Sequence, residues 1–320
     1  MDRVDGAYAC PACGTRYPVV LGIPDFRVYE DPLIPLADDY RKGEVLQREA
    51  ERRSFADLVA YYWTLPTYPP TPPDLAQRFV HHVLTDRERV ETYAHLLGGR
   101  GSLLDVGCGA GVLLQTVGAR FDTVVGVDVG FRWLVVARRG LEQAGVPAAL
   151  VCACADHLPF PGGTFDTVSS VALLEHVPDA RAALAELGRV QRPGGRLVTW
   201  TSNRFSLAPE PHVRVWGVGF LPRRWMPAYV RWRRGMAYEK KRLLSRFELA
   251  RDMRAAGYGS VRFHLPPVTT ADRDGASRLE RIGAGLYGAL RRFPGIRWFV
   301  SAVFPVLLAT GRRAALPEGQ

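Results

Sequence analysis

The strongest pattern along the chain is an alternation, beginning near position 102, of short β-rich apolar runs with stretches of helical spacing. Apolar runs at 103–106, 123–127, 149–152, 167–171 and 196–201 are separated by a segment helical from Gly111, a helix over 131–144, and a helix that Asp179 can cap and the Arg-Pro-Gly-Gly of 192–195 can close. Such alternation predicts an α/β protein with a doubly wound parallel sheet. Upstream, Asp74 is a good N-cap, and apolar residues recur at Leu75, Phe79, Val80, Val83 and Leu84, then at Val90, Tyr93, Ala94 and Leu97. This spacing predicts a helix. The aromatic and proline-rich 61–74 reads as a wrapped, non-helical linker, preceded by a more charged region at 31–58.

The first apolar run ends in Gly107-Cys108-Gly109-Ala110-Gly111 and turns into a helix, which lets backbone approach a ligand closely because a Cβ there would collide with it. A nicotinamide fingerprint requires G-x-G-x-x-G, and the sixth position here is Val112. A phosphate-binding P-loop requires Gly-Lys-Ser/Thr, which the loop does not contain. What remains is G-x-G-x-G with an acid, Asp105, at the strand end; a carboxylate there repels pyrophosphate and can bind an ammonium. A second acid, Asp128, ends the next run, where it can accept both hydroxyls of a ribose. Asp156, after the third run, can accept from an adenine amino group. The ligand so described is a nucleoside without phosphates.

The segments "LLDVGCGAG", "VVGVD", "ADHLPFPGGTFDTV", "LLEHVPD" and "RPGGRLV", in that order, resemble the class I S-adenosylmethionine-dependent methyltransferases over about 102–202. The resemblance implies a Rossmann-like, doubly wound seven-stranded sheet of order 3-2-1-4-5-7-6. It implies S-adenosylmethionine as cofactor, held by Asp105, Gly107, Gly109, Gly111, Asp128, Val129, Asp156 and His157. Methyl transfer from a sulfonium mainly needs the nucleophile aligned and deprotonated. His176, after the fourth strand, and His212 are the candidate bases, with ordinary pKa values suited to the task; alternatively His176 packs beside the cofactor while Glu175 caps a turn.

The Cys-x-x-Cys of Cys10 and Cys13, with the following "RYPVVLGIPDF", resembles one knuckle of the zinc ribbon in the small activator protein of tRNA methyltransferases. A structural zinc takes four ligands, and no second Cys-x-x-Cys is present, so no metal is expected. The organisation expected is a knuckle at 1–28, a linker and helical cap at 29–97, and the methyltransferase domain at 98–314 with a lid insert at 204–251. Cysteine usage and the lack of a leader pattern point to the cytoplasm. The longest uncharged apolar stretch, 298–311, contains Pro305 and is shorter than the roughly 20 residues that span a bilayer.

Charge singles out the insert. The chain carries a formal +10, and between 221 and 251 ten Lys or Arg face only Glu239 and Glu248, interleaved with Trp225, Tyr229, Trp232 and Tyr238. That is a solvated face, or a site for an anionic small molecule, a membrane surface or RNA. The helical spacing of Trp225, Tyr229 and Trp232 suggests a face packed on the core or on lipid, and argues against RNA. Trp216, Phe220 and Trp225 are expected to exclude water from the transfer. The leading expectation is O-methylation of a small-molecule or lipid-linked acceptor, with peripheral membrane contact through 221–251. An RNA methyltransferase and a noncatalytic binding subunit are the other readings.

Overall fold

The computed structural model describes residues 2–4, 6–67, 70–238, 241–274 and 278–314; of the positions discussed above, Met1, Tyr68, Pro69, Glu239 and Lys240 lie outside them. Five parallel strands form the predicted sheet: β1 (Ser102–Val106), β2 (Thr123–Asp128), β3 (Ala149–Cys152), β4 (Phe165–Val171) and β5 (Gln191–Ser202). Two more complete it, β6 (Arg262–His264) and β7 (Val306–Arg312), with β7 antiparallel to both β5 and β6. The order is 3-2-1-4-5-7-6, as the resemblance implies. Parallel strands bring the carboxyl ends of β1, β2, β4 and β5 to one edge, where such sheets collect ligands.

Alternate residues of each strand face opposite layers of the core. Leu103 joins the layer containing helices α1 (Leu36–Ala50), α2 (Phe55–Tyr62), α3 (Pro73–Leu97), α4 (Val112–Val117) and α5 (Phe131–Ala144). Leu104 and Val106 join the opposite layer, with α6 (Ala180–Val190). Asp179 caps α6 as expected, accepting from Arg181 N at 2.8 Å.

Several boundaries differ from the sequence expectation. The Arg-Pro-Gly-Gly of 192–195 lies in β5 and does not close the helix, because the chain is already extended at Gln191 (φ −89°, ψ 138°), directly after the helix that Asp179 caps. Helix α3 starts at Pro73, with Pro72 at the N-cap, and Asp74 lies inside the first turn; proline's fixed φ suits that position. Tyr61 and Tyr62 end α2 and are not linker. The insert is shorter than 204–251: helices α7 (Met226–Arg234) and α8 (Arg246–Ala255) differ in allegiance, and α8 buries Leu249 and Met253 in the core of the sheet. The insert proper has its own small core, in which Val213, Val218, Met226 and Val230 meet. Trp225 and Trp232 do not pack as a face on the core; they are 54% and 76% exposed.

The first residues form a small antiparallel sheet of strands Asp2–Val4, Ala7–Ala9, Arg16–Val20 and Ile23–Pro24, with Cys10 and Cys13 in its tight turn and no disulfide between them. The chain then runs beside the outer edge of β3, where Asp25 bridges Cys152 in parallel and Phe26 N donates to Cys152 O at 2.7 Å. What fixes this segment is charge. Asp39, fully buried on α1, accepts from the amides of Phe131 and Arg132 at 2.9 and 3.2 Å and so caps α5. It also pairs with Arg27 at 2.7 Å and Arg132 at 2.9 Å, while Asp25 and Asp31 take the remaining faces of those two guanidiniums.

Removing one member of a buried ion network strands the others without water, which typically costs 3–5 kcal/mol. We therefore expect Asp39→Ala to lower the unfolding free energy by about that amount in urea denaturation. A loss as small as that of neutralising the exposed Arg41–Asp38 pair would show that the network does not hold the N-terminal region to the sheet.

Candidate active site

The glycine loop leaves β1 and crosses the end of β2, where the amides of Gly107 and Cys108 both donate to Val127 O at 2.8 and 3.0 Å. Gly107, Gly109 and Gly111 all have positive φ, a region that costs other residues roughly 1–2 kcal/mol. Their surroundings differ. A Cβ on Gly107 would meet Leu173 at 2.9 Å and one on Gly111 would meet Ala137 at 3.0 Å, whereas one on Gly109 would meet nothing within 4 Å. The first and third glycines thus serve protein packing, and the middle one borders open space that a ligand can fill.

Asp128 links this loop to α5: its Oδ2 accepts from Gly109 N at 2.8 Å and its Oδ1 from Gly130 N at 2.7 Å. Each carboxylate oxygen has a second lone pair, and the half-buried side chain can offer these to a diol. Burial pushes its pKa up to about 6 against the pull of the two amides. Asp105 lies deeper, 2% exposed, and accepts from Ser169 Oγ of β4 at 2.6 Å. Burial raises its pKa to about 6 as well. It sits beneath the loop and is tied to the neighbouring strand.

Val129, Asp156 and His157 mark the far side. Asp156 Oδ1 accepts from Tyr29 at 2.6 Å and lies 3.1 Å from His157 Nδ1, and Val129 O accepts from Arg27 at 3.0 Å. Tyr29 and Arg27 were not foreseen, since no local signal connects residues a hundred positions apart.

The two candidate histidines meet. His176, in the turn after β4, places Nε2 3.2 Å from Nε2 of His212, which comes from the insert. His212 Nδ1 lies 2.6 Å from Oε1 of the buried Glu210, whose Oε2 also accepts the amides of His212 and Val213 at 2.9 Å. Burial acts to raise the Glu210 pKa, but the His212 hydrogen bond and the charges of His212 and Lys241 outweigh it and hold it low. His176 is pushed down to about 4, chiefly by burial, and Lys241, half-buried near Glu210 and Glu175, to about 8 by the same cause. Tyr238 is buried in this cluster, beside Glu210, and burial raises its pKa. Two of the four non-glycine residues with positive φ among the described residues, Ala172 and Arg214, flank the pair, and strain of this kind gathers where geometry is imposed by its surroundings.

Glu175 does not cap its own turn. It is buried and accepts from Thr201 Oγ1 at 2.6 Å and Ser202 Oγ at 2.9 Å, fastening the turn to the end of β5. Glu175, His176 and His212 each offer one ligand atom within 4.8 Å of the others, a spacing compatible with a cation. Trp216, Phe220 and Trp225, expected to exclude water, are exposed. A groove of about 1200 Å³ lies between the N-terminal sheet and the outer edge of β3, and neither the glycine loop nor the histidines line it.

Residues 104–199 match the family model described as a methyltransferase domain. The matched segment is 96 of the chain's 320 residues. Among curated relatives, the chain is similar to the ubiquinone biosynthesis O-methyltransferase of Thiobacillus denitrificans, at 35% identity over 158 residues, 48% of this chain and 63% of that protein. It is also similar to the protein of the same name from Aromatoleum aromaticum, at 32% identity over 159 residues, again 48% and 63%. The chain thus spans less than two thirds of the length of these relatives. The solved YcgJ protein of Bacillus subtilis aligns with a TM-score of 0.47 at 20% identity, over 74% of this chain and 100% of that one.

The site fits S-adenosylmethionine on its own terms: open space at Gly109, a partly exposed carboxylate at Asp128 and no cation in the loop to receive a phosphate. The matched segment supplies the loop, Asp128, Asp156 and His176. Glu210 and His212 come from the insert, Arg27 and Tyr29 from the N-terminal segment. The Glu-Pro-His of 210–212 was the one local signal for the carboxylate behind His212, an acid two positions from an imidazole in a loop.

The glycine contrast is testable by calorimetric titration with S-adenosylmethionine. Gly109→Ala is expected to cost only about 1–2 kcal/mol of stability yet weaken binding at least about ten-fold, while Gly111→Ala adds a clash with Ala137 to that strain and loses more stability. Equal binding by Gly109→Ala and the parent would remove the loop from the cofactor site.

Asp105 gives a pH prediction. A carboxyl whose pKa is raised from 3.8 to about 6 on folding makes stability fall as pH rises through that window, because the folded state then holds more protons than the unfolded one. Asp105→Asn should flatten that segment of the stability profile and raise stability at pH 7 by roughly 1–3 kcal/mol, measured by denaturation across pH. An unchanged slope between pH 4 and 6 would show that Asp105 ionises as freely as in the unfolded chain.

Proposed function

We propose that the protein transfers a methyl group to a hydroxyl oxygen of a small-molecule or lipid-linked acceptor, with His176 and His212 relaying the proton that the hydroxyl gives up. The observation that carries this reading is the 3.2 Å contact between the two imidazoles, backed by Glu210, in the turn whose Leu173 packs on Gly107 of the loop. S-adenosylmethionine, when bound, supplies an electrophilic methyl on a sulfonium. The loop and Asp128 would hold it, with Val129, Asp156 and His157 on its adenine side and Asp105 supporting the loop from below.

The proton path follows from the hydrogen bonds. Glu210 fixes His212 with its proton on Nδ1, so the Nε2 lone pair of His212 faces His176, and the contact requires His176 to carry its proton on Nε2. Nδ1 of His176 is then the basic atom. As it takes the acceptor's proton, Nε2–H passes to His212, and the positive charge comes to rest beside the Glu210 carboxylate. The low pKa of His176 agrees with a residue that hands charge on and does not keep it. Lys241, near Glu210 and Glu175, would steady an acceptor oxygen that becomes anionic. The oxygen acceptor is also what the names of the curated relatives support.

A general base typically contributes 10²–10⁴-fold. His212→Ala and His176→Ala should each lower kcat by about that factor, with cofactor affinity within about two-fold, and Glu210→Gln should cost less because the imidazoles remain. The measurement is S-adenosylhomocysteine release across a panel of phenolic, enolic and sugar hydroxyl acceptors. Turnover by both histidine variants at the parent rate would remove the relay, and transfer only to nitrogen or RNA acceptors would remove the oxygen assignment.

A further inference from the structure

Between β6 and β7 the chain makes a helical hairpin, α10 (Arg278–Leu290) and α11 (Arg297–Val303), joined by a short 3₁₀ turn Pro294–Ile296 and preceded by the one-turn helix α9 (Thr270–Arg273). One side of it is anchored. Tyr287 stacks on Phe304 at 4.0 Å and bonds Pro266 O at 2.6 Å, and with Leu265 and Val300 forms a small core. The other side is apolar and open to solvent: Ile282 and Leu286 on α10, Phe293 and Ile296 in the turn, and Trp298 and Phe299 on α11 are 38–60% exposed. Every residue from 292 to 299 is exposed.

We propose that this hairpin is a monotopic docking surface for an anionic lipid membrane. Charge complementarity selects the occupant. From 278 to 303 there are five arginines, 278, 281, 291, 292 and 297, and one acid, Glu280, which pairs with Arg214 of the insert. A second protein copy bringing the same surface would oppose arginines with arginines, whereas anionic headgroups neutralise them while acyl chains cover the aromatic and aliphatic side chains. No helix of the described residues is long and apolar enough to cross a membrane, so the hairpin lies in the interface plane.

The surface is continuous with the insert that carries His212. Phe247 packs on Trp298 at 5.8 Å, Leu207 N donates to Val303 O at 3.1 Å, and the exposed Trp216 donates to Leu207 O at 2.9 Å. Docking would therefore bring the insert to the lipid boundary. The inference does not rest on the catalytic proposal, since its readout is binding alone.

The experiment is co-sedimentation of the full chain with vesicles of phosphatidylcholine alone or mixed with phosphatidylglycerol, with cofactor titration as the folding control. Binding is expected only to the mixed vesicles and should weaken with salt. Arg281→Gln with Arg292→Gln and Arg297→Gln should lower partitioning about ten-fold or more, and Ile282→Ser with Phe293→Ser and Phe299→Ser should abolish it, both leaving cofactor affinity unchanged. Equal partitioning by parent and variants, or no binding to either vesicle, overturns the proposal. A concentration-dependent dimer lost in the serine variant without vesicle binding would assign the face to a second copy and also overturn it.

Discussion

The site depends on one buried carboxylate that the matched segment, residues 104–199, does not contain. Asp39 reaches from α1 to the first amides of α5, and the residue before that helix is Gly130, whose amide holds Asp128. A helix N-terminus carries about half a positive charge, and two orphan amides there need acceptors. Asp39 satisfies both and neutralises part of two arginines, so the position of Asp128 and the burial of Arg27 and Arg132 are solved together. The N-terminal region is in this sense part of the proposed cofactor site, although it contributes few side chains near it.

Across the sheet edge buried carboxylates recur, with different donors. Glu175 is buried with hydroxyl and amide donors from β5, and Glu210 with an imidazole and two amides. Neither carboxylate has a close arginine among the described residues, in contrast to the pairs around Asp39. Carboxylates satisfied by hydrogen bonds and imidazole remain responsive to a proton arriving nearby, whereas guanidinium pairs do not exchange protons at all. The division between a fixed ionic anchor and a titratable edge follows from which donors each acid was given.

What could be read from sequence was what local physics determines. The ends of β1 to β4, the span of α5, the Asp179 cap and the turns at Gly107, Gly109 and Gly111 each depend on periodicity or on a residue's own conformational limits, and each lies where the pattern places it. His176 and His212 were chosen singly, with no reason to expect contact. Their meeting depends on the path of the insert, fixed by its own small core and by the strained turn at Arg214. The Asp39 network was invisible for the same reason: a charged region at 31–58 reads as solvent-facing until the partner arginines, one of them on α5, are in place. The insert's end was misplaced because α8 carries surface-like charge along a helix whose Leu249 and Met253 alone decide its allegiance.

The basic surplus also changes meaning once its partners are known. Within the insert, Arg223 is held by Glu248 and by Leu243 O, and Arg204 by carbonyls of Gly219 and Leu221, so much of the charge that looked available for an anion is spent inside the fold. The hairpin at 278–303 gives little charge signal along the sequence, since its arginines are spread among apolar residues, and only 298–303 of it falls in the uncharged apolar stretch 298–311. Net charge along the sequence and charge available at the surface are different quantities. Arginines with acids close in space contribute to the first and little to the second, and only the folded chain distinguishes them.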